Sequence, residues 1–277
     1  MTTSKKKYSI FNAYITDGEN LFIDDGGILI EDGRISKIGK SSDIKGLAEE
    51  SYDMGGRVIL PGLLNPHHHL YSALSTGLAP VGPTPNFTKI LENLWWRLDE
   101  VLDEESVYYS AIIGILDSIR KGCTMIFDHH ASMKFVSGSL EVMAKAFKEC
   151  GVKGLICFET SDRHGLEEAE SHIKENIDFF NNYKDNPNIK GTFGLHANFT
   201  LSEITMKKIS EAKPKDMPIH VHCAEDVADF EFVKKIGYKG VIDRLNKFDL
   251  LDENSLIIHA IYLDDYEYEL LKSVKPV

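Results

Sequence analysis

Two rhythms of apolar and polar positions divide the chain. Between residues 8 and 60 the apolar residues come in short runs, "YSIFNAYITDG", "GGILIEDGRISKIGK" and "SYDMGGRVILPG". Such β-rich runs with no useful helical repeat predict strands. The Asp32-Gly33 pair between two of them predicts a hairpin turn. From Pro61 the rhythm changes to strand followed by helix. "GLLN", "CTMIFDHH", "VKGLICFET", "IKGTFGLHAN", "MPIHVHCAE" and "NSLIIHAIYL" are apolar strand runs, separated by amphipathic stretches. In "DEESVYYSAIIGILDSIRKG", Val107, Ile112, Ile115, Leu116 and Ile119 recur at helical spacing, and Gly122 provides the stop.

Strands too apolar for a solvated face, alternating with helices, predict an α/β protein with a parallel sheet buried on both sides. Six such units in a row favour a (β/α)8 TIM-type barrel over an open doubly wound sheet. Polar residues gather at the C-terminal strand ends, where barrel sites lie. The expected organisation is a small N-terminal β module, residues 1–60, and a barrel domain, residues 61–277, showing about six of the eight strands. A nucleotide-binding reading lacks any GxGxxG after a strand and is rejected.

Composition narrows the partners. Lys and Arg total 31 against 43 Asp and Glu, a net charge of -12, which repels phosphate backbones and argues against nucleic acid. No run approaches the length of a membrane span. The opening "MTTSKKKYSIFNAYITDG" has a basic cluster but no signal-peptide apolar core. Cys123, Cys150, Cys157 and Cys223 form no CxxC pair, so a reducing cytoplasm is expected. Trp95 and Trp96 fall in an amphipathic run and read mainly as packing, with a place bordering the pocket or a subunit contact as the alternative. Residues 80–88, "PVGPTPNFT", follow the first barrel strand, the place for a substrate lid.

The chemistry lies in the histidines. In "NPHHHL", His67 and His69 are two apart and face the same way along a strand, about 6.5 Å apart in rise, so both can reach one ion while His68 faces away. In "HVHCAE", His220 and His222 repeat the spacing, and Glu225 follows at the strand end, where a carboxylate could act as a base beside an activated water. His196 in "GLHANFT", His259 in "LIIHAIYL" and His129 and His130 in "FDHH" stand at other strand ends. Five of six strand ends carrying His is hard to assign to chance among 11 histidines.

"VILPGLLNPHHHLYSAL" resembles the entry strand of the amidohydrolase superfamily, PG(L/F)-x-(N/D)-x-H-x-H, with "HVHCAE" and "IIHAIYL" matching its later histidine strands. "NFTKILENLWWRLDE" and "TMIFDHHAS" are similar to the SsnA-type aminohydrolases, relatives of guanine deaminase and the triazine hydrolases. The resemblance implies His67, His69 and His222 as metal ligands, Glu225 as proton shuttle, His259 on the attacking water or tetrahedral centre, and His196 against substrate. His220 lies outside the motif and reads as a supporting or core residue. It further implies one divalent ion, zinc before iron, since no Lys stands at "CFET" or "GLHAN" to bridge two. The implied reaction is hydrolytic deamination of a heterocyclic or amidine-like carbon in a small molecule, by a homo-oligomer, expected to be a dimer at full length.

The family's remaining ligand, an Asp in a "GTDG"-like strand-eight sequence, is not found here. Asp264 and Asp265 read as the acidic start of a helix. The N-terminal module is normally completed into a sandwich by C-terminal strands, so the chain reads as the first two-thirds of an enzyme. Two alternatives stay open: a hydrolase expelling chloride or another group from the same scaffold, and a catalytically inactive truncated fragment.

Overall fold

The computed structural model describes residues 6–277; of the basic cluster, Lys5 lies outside them. The chain divides after Gly62 into two compact units. The first holds one four-stranded sheet in the order β3-β2-β1-β4, formed by β1 (Lys7–Thr16), β2 (Phe22–Glu31), β3 (Arg34–Lys40) and β4 (Glu50–Ile59). β2 pairs antiparallel with β1 and β3, while β4 runs parallel to β1. The β2–β3 turn is the Asp32-Gly33 pair, with φ of 53° and 76°. Both residues are left-handed, the geometry whose twist matches a two-residue hairpin and which asks for Asp-Gly or Asn-Gly. Ala13, Ile15, Ile28 and Ile30 form the buried cluster of this unit. A one-turn helix, Ser41–Ile44, buries Ile44 completely.

The second unit is built of parallel strands. β5 (Leu63–His68), β6 (Cys123–His130), β7 (Lys153–Phe158) and β8 (Ile189–Gly191) form one sheet in sequence order. β9 (Phe193–Leu195), β10 (Ile219–Cys223) and β11 (Leu256–His259) form another, and a bridge between Thr160 and Leu195 links the two. β8 and β9 together occupy the single predicted strand "IKGTFGL", interrupted at Thr192. Gly194 is required there, because a Cβ would lie 2.2 Å from the Phe158 carbonyl oxygen.

Every β10 residue is buried, as expected for a strand covered on both faces. The covering helices are amphipathic and individually capped. Before Glu104–Arg120, Asp103 accepts from the Ser106 amide at 3.0 Å, and the Ser106 hydroxyl accepts from the Asp103 amide at 2.8 Å. That reciprocal pair satisfies two of the helix's free donors. Asp264 caps Asp265–Val274 by accepting from the Glu267 amide, the helix start expected of the Asp264-Asp265 pair. Two apolar clusters hold helices to sheet, one around Ile126, Phe147 and Ile156, the other around Phe193, Met206 and Val221. Phe147 is fully buried, and its truncation to Ala would cost about 3–5 kcal/mol.

The segment predicted as one helix through Trp95 and Trp96 runs as Phe87–Ile90, Leu91–Trp95 and Trp96–Asp99, the middle piece a π-turn. Such turns are frequent beside functional sites.

Candidate active site

His67 and His69 leave the end of β5, and His222 comes from β10. The His69 Nε2 lies 3.1 Å from both the His67 Nε2 and the His222 Nε2. The opposite ring nitrogens explain what this means. His69 Nδ1 is 2.8 Å from the His129 carbonyl oxygen, and His222 Nδ1 is 2.8 Å from the His196 carbonyl oxygen. A carbonyl only accepts, so both Nδ1 atoms carry the proton and both Nε2 atoms are bare lone pairs. With the proton of His67 on Nδ1, donated to His220 Nε2 at 2.9 Å, its Nε2 offers a third. Burial, then neighbouring imidazoles, lower His67 to about 2, and burial lowers His69 to about 4 and His222 well below its ordinary value. Three neutral imidazoles turning lone pairs on one another repel unless a cation lies among them, and neutral imidazole is the metal-binding form. The residues fit a divalent ion.

His68 takes the other side, its Cε1 3.8 Å from where a Cβ on Gly114 of helix Glu104–Arg120 would stand. His220 is buried behind His67, with Nδ1 3.6 Å from the Cys157 thiol. It therefore orients the His67 ring, as partners of metal-binding histidines commonly do. Asp128 accepts from the Leu70 amide at 2.7 Å, pinning the backbone just after His69, and burial raises it to about 8.

A cavity of about 280 Å³ opens beside the histidines, near the small end of small-molecule sites. Glu225 and His259 line it, with the Glu225 carboxylate 3.5 Å from His259 Nε2. His259 is held at φ 73° at the end of β11, a left-handed conformation that is strained for a non-glycine residue. Burial, then Asp226, Asp229 and Glu159, raise Glu225 to about 7. His196 also lines the cavity, its Nδ1 bonded to the Thr200 hydroxyl at 2.8 Å.

All six residues to which the resemblance gives a role thus meet at one cavity. Trp95 and Trp96 line it too, and so does Phe87 at the end of the 80–88 segment. The packing reading of the tryptophans is thereby extended: one face of their helix meets the cavity. Sequence reasoning missed Glu159, Asp99 and Arg163. Glu159 stands at the end of "CFET", a strand end inspected only for a lysine, and the signal available was an acidic residue directly after an apolar strand.

A parallel β/α unit with a histidine centre at the C-terminal strand ends has the architecture of a metal-dependent α/β protein. Residues 58–275 match the model of the amidohydrolase family, a metal-dependent family, and the chain belongs to it. It is 32% identical over 250 residues to 5'-deoxyadenosine deaminase of Methanocaldococcus jannaschii, covering 88% of this chain and 57% of that protein. It is 29% identical over 265 residues to 5-methylthioadenosine/S-adenosylhomocysteine deaminase of Thermococcus sibiricus, covering 95% and 60%. The chain thus spans under two-thirds of the length of these relatives.

Among solved structures, E. coli guanine deaminase superposes with a TM-score of 0.79 at 18% identity, over 98% of this chain and 66% of that one. A zinc-bound adenosine deaminase from Xanthomonas campestris gives 0.78 at 20% identity, over 97% and 61%. These likenesses establish the fold.

Proposed function

We propose that the site is that of a metal-dependent aminohydrolase, replacing an amino group on a heterocyclic or amidine-like carbon of a small molecule by oxygen from water. The observation that carries this reading is the convergence of three Nε2 lone pairs beside a cavity that also holds Glu225 and His259. His67, His69 and His222 would hold the ion, zinc before iron, since imidazole suits both. When bound, such an ion supplies Lewis acidity and lowers the pKa of water toward neutrality. Glu225 takes a proton from the attacking water and returns it to the departing amine, which leaves as ammonia. A carboxyl held near pH 7 suits both transfers. His259, beside Glu225, stabilises the tetrahedral centre by hydrogen bonding to its oxygen, and His196 contacts the substrate ring.

The deaminases among the relatives and the fold of the structural neighbours support the reading. They also support placing the parallel strands in a (β/α)8 barrel, residues 61–277, with residues 1–60 as a separate β module of sandwich type. Among the described residues no helix is long and apolar enough to cross a membrane. The four cysteines are free, in keeping with the proposed reducing, cytoplasmic setting.

Ammonia release from a panel of aminated heterocycles, with Glu225→Gln as control, tests the reading. Turnover that falls roughly 10²–10⁴-fold in the variant while metal content is kept supports it. Equal turnover in both proteins refutes the assignment of Glu225.

A further inference from the structure

The cavity has a second group of polar side chains that the reaction above does not use; one of them, Glu159, has a carboxylate oxygen within 4.8 Å of ring nitrogens of His129 and His222. Glu159 and Asp99 both line the cavity, and their side chains are only 5% and 1% exposed. The Glu159 carboxylate has only long contacts with its charged or ionisable neighbours. The nitrogens of His129, Arg163 and His196 stand 3.6, 3.8 and 3.9 Å away, the first a weak hydrogen bond at most. Asp99 Oδ2 accepts from Arg163 at 2.7 Å, but Asp99 Oδ1 has no partner, nor does the Trp96 indole N–H or one Arg163 terminal nitrogen.

Burial pushes Glu159 up, but His196, His129 and Arg163 outweigh it and hold the carboxyl well below the usual range. Glu159 is therefore an anion, and an ionised carboxylate is an acceptor only. A buried anion with only long contacts is costly, and a molecule in the cavity can supply closer donors. The walls say what shape that is. Trp96 presents its ring between Arg163, 4.8 Å from its centroid, and His196, 6.2 Å away ring to ring. A flat ring lying along such a wall carries its N–H donors in its own plane. Two parallel N–H donors match the two oxygens of a carboxylate, and two acids against one guanidinium favour a neutral or cationic partner over an anionic one.

We propose that Glu159, seconded by Asp99, is the recognition end of the cavity and takes the paired N–H donors of an amidine- or guanidine-type edge on a planar nitrogen heterocycle. This deepens, and rests on, the aminohydrolase reading: the edge held by Glu159 is distinct from the amino group that is hydrolysed at the metal end.

Calorimetric titration of the zinc-loaded 277-residue chain tests it with three probes: 2,4-diaminopyrimidine, pyrimidine as the donor-free ring, and cis-cyclopentane-1,2-diol as a hydroxyl donor. The expected result is binding of the diamine that weakens roughly 10- to 100-fold in Glu159→Gln, and by a comparable factor when pyrimidine replaces it in the unmodified chain. Asp99→Asn, weakening the diamine less, guards against a folding defect confined to one variant, and zinc content should be unchanged in both. The proposal is overturned if the diamine does not bind, if Glu159→Gln binds it equally, if the diol binds more tightly than the diamine, or if Glu159→Gln loses zinc. Ammonia release separates the two levels. Glu159-dependent binding without ammonia from any aminated ring leaves this subsite standing and removes the aminohydrolase reading. Ammonia release insensitive to Glu159 does the reverse.

Discussion

The two ends of the cavity are built on opposite electrostatic plans. At the metal end, buried neutral imidazoles have their outer nitrogens tied to carbonyls and their inner lone pairs turned on one point. At the other, Asp99, Glu159 and Arg163 lie buried together, burial raising the Asp99 carboxyl to about 7, and among the described residues one Asp99 oxygen and one Arg163 nitrogen lack partners. Both arrangements are incomplete in the protein alone, but they call for different things. One asks for a cation that accepts lone pairs; at the other the carboxylates ask for N–H donors, while the Trp96 and Arg163 N–H groups ask for an acceptor. A small cavity lined by both groups and by Phe87, Trp95 and Trp96 can orient what it binds.

The comparison can be broken most severely at Arg163. Replacing it by Met leaves Asp99 buried without its charge partner, and removing one half of a buried pair costs about 3–5 kcal/mol. Denaturant unfolding of Arg163→Met should show that loss, and adding Asp99→Asn should recover part of it. A smaller effect is expected behind the metal end. His220→Phe keeps the ring but removes the acceptor for His67 Nδ1, so competition with a chelator should show metal affinity falling roughly 10- to 100-fold. The smallest is a pH effect. Glu225 must be ionised to accept a proton, and its carboxyl titrates at about 7. Turnover should therefore fall as pH drops below that value, approaching about tenfold per unit. A flat profile from pH 5 to 8 would remove Glu225 as the base.

How far the sequence could be read follows from the same physics. His67 and His69 were legible because a strand repeats every two residues, so HxH places two rings on one side without any knowledge of the fold. The Asp32-Gly33 turn was legible because few residue pairs accept two left-handed conformations. His222 and Glu225 stood out through the repeated HxH spacing and the acid after it, but their roles, like those of His196 and His259, needed the resemblance, because a single polar residue at a strand end carries no period of its own. Asp99 and Arg163 were hidden for another reason: one sits in an amphipathic helix, the other in a loop, and they are far apart in the chain. Nothing in either local pattern says that an inward face meets a cavity instead of a core, and Trp95 and Trp96 were read as packing on that account. The π-turn at Leu91–Trp95 and the break between β8 and β9 likewise answer to close packing that pattern alone does not display.

Elemental analysis of the purified chain, after removal of loosely bound ions, goes straight to the convergence of the three histidines. The account predicts about one equivalent of zinc or iron, lost in His67→Ala and in His222→Ala and kept in Glu159→Gln. No bound metal in the folded chain, or metal that survives both histidine substitutions, would contradict it.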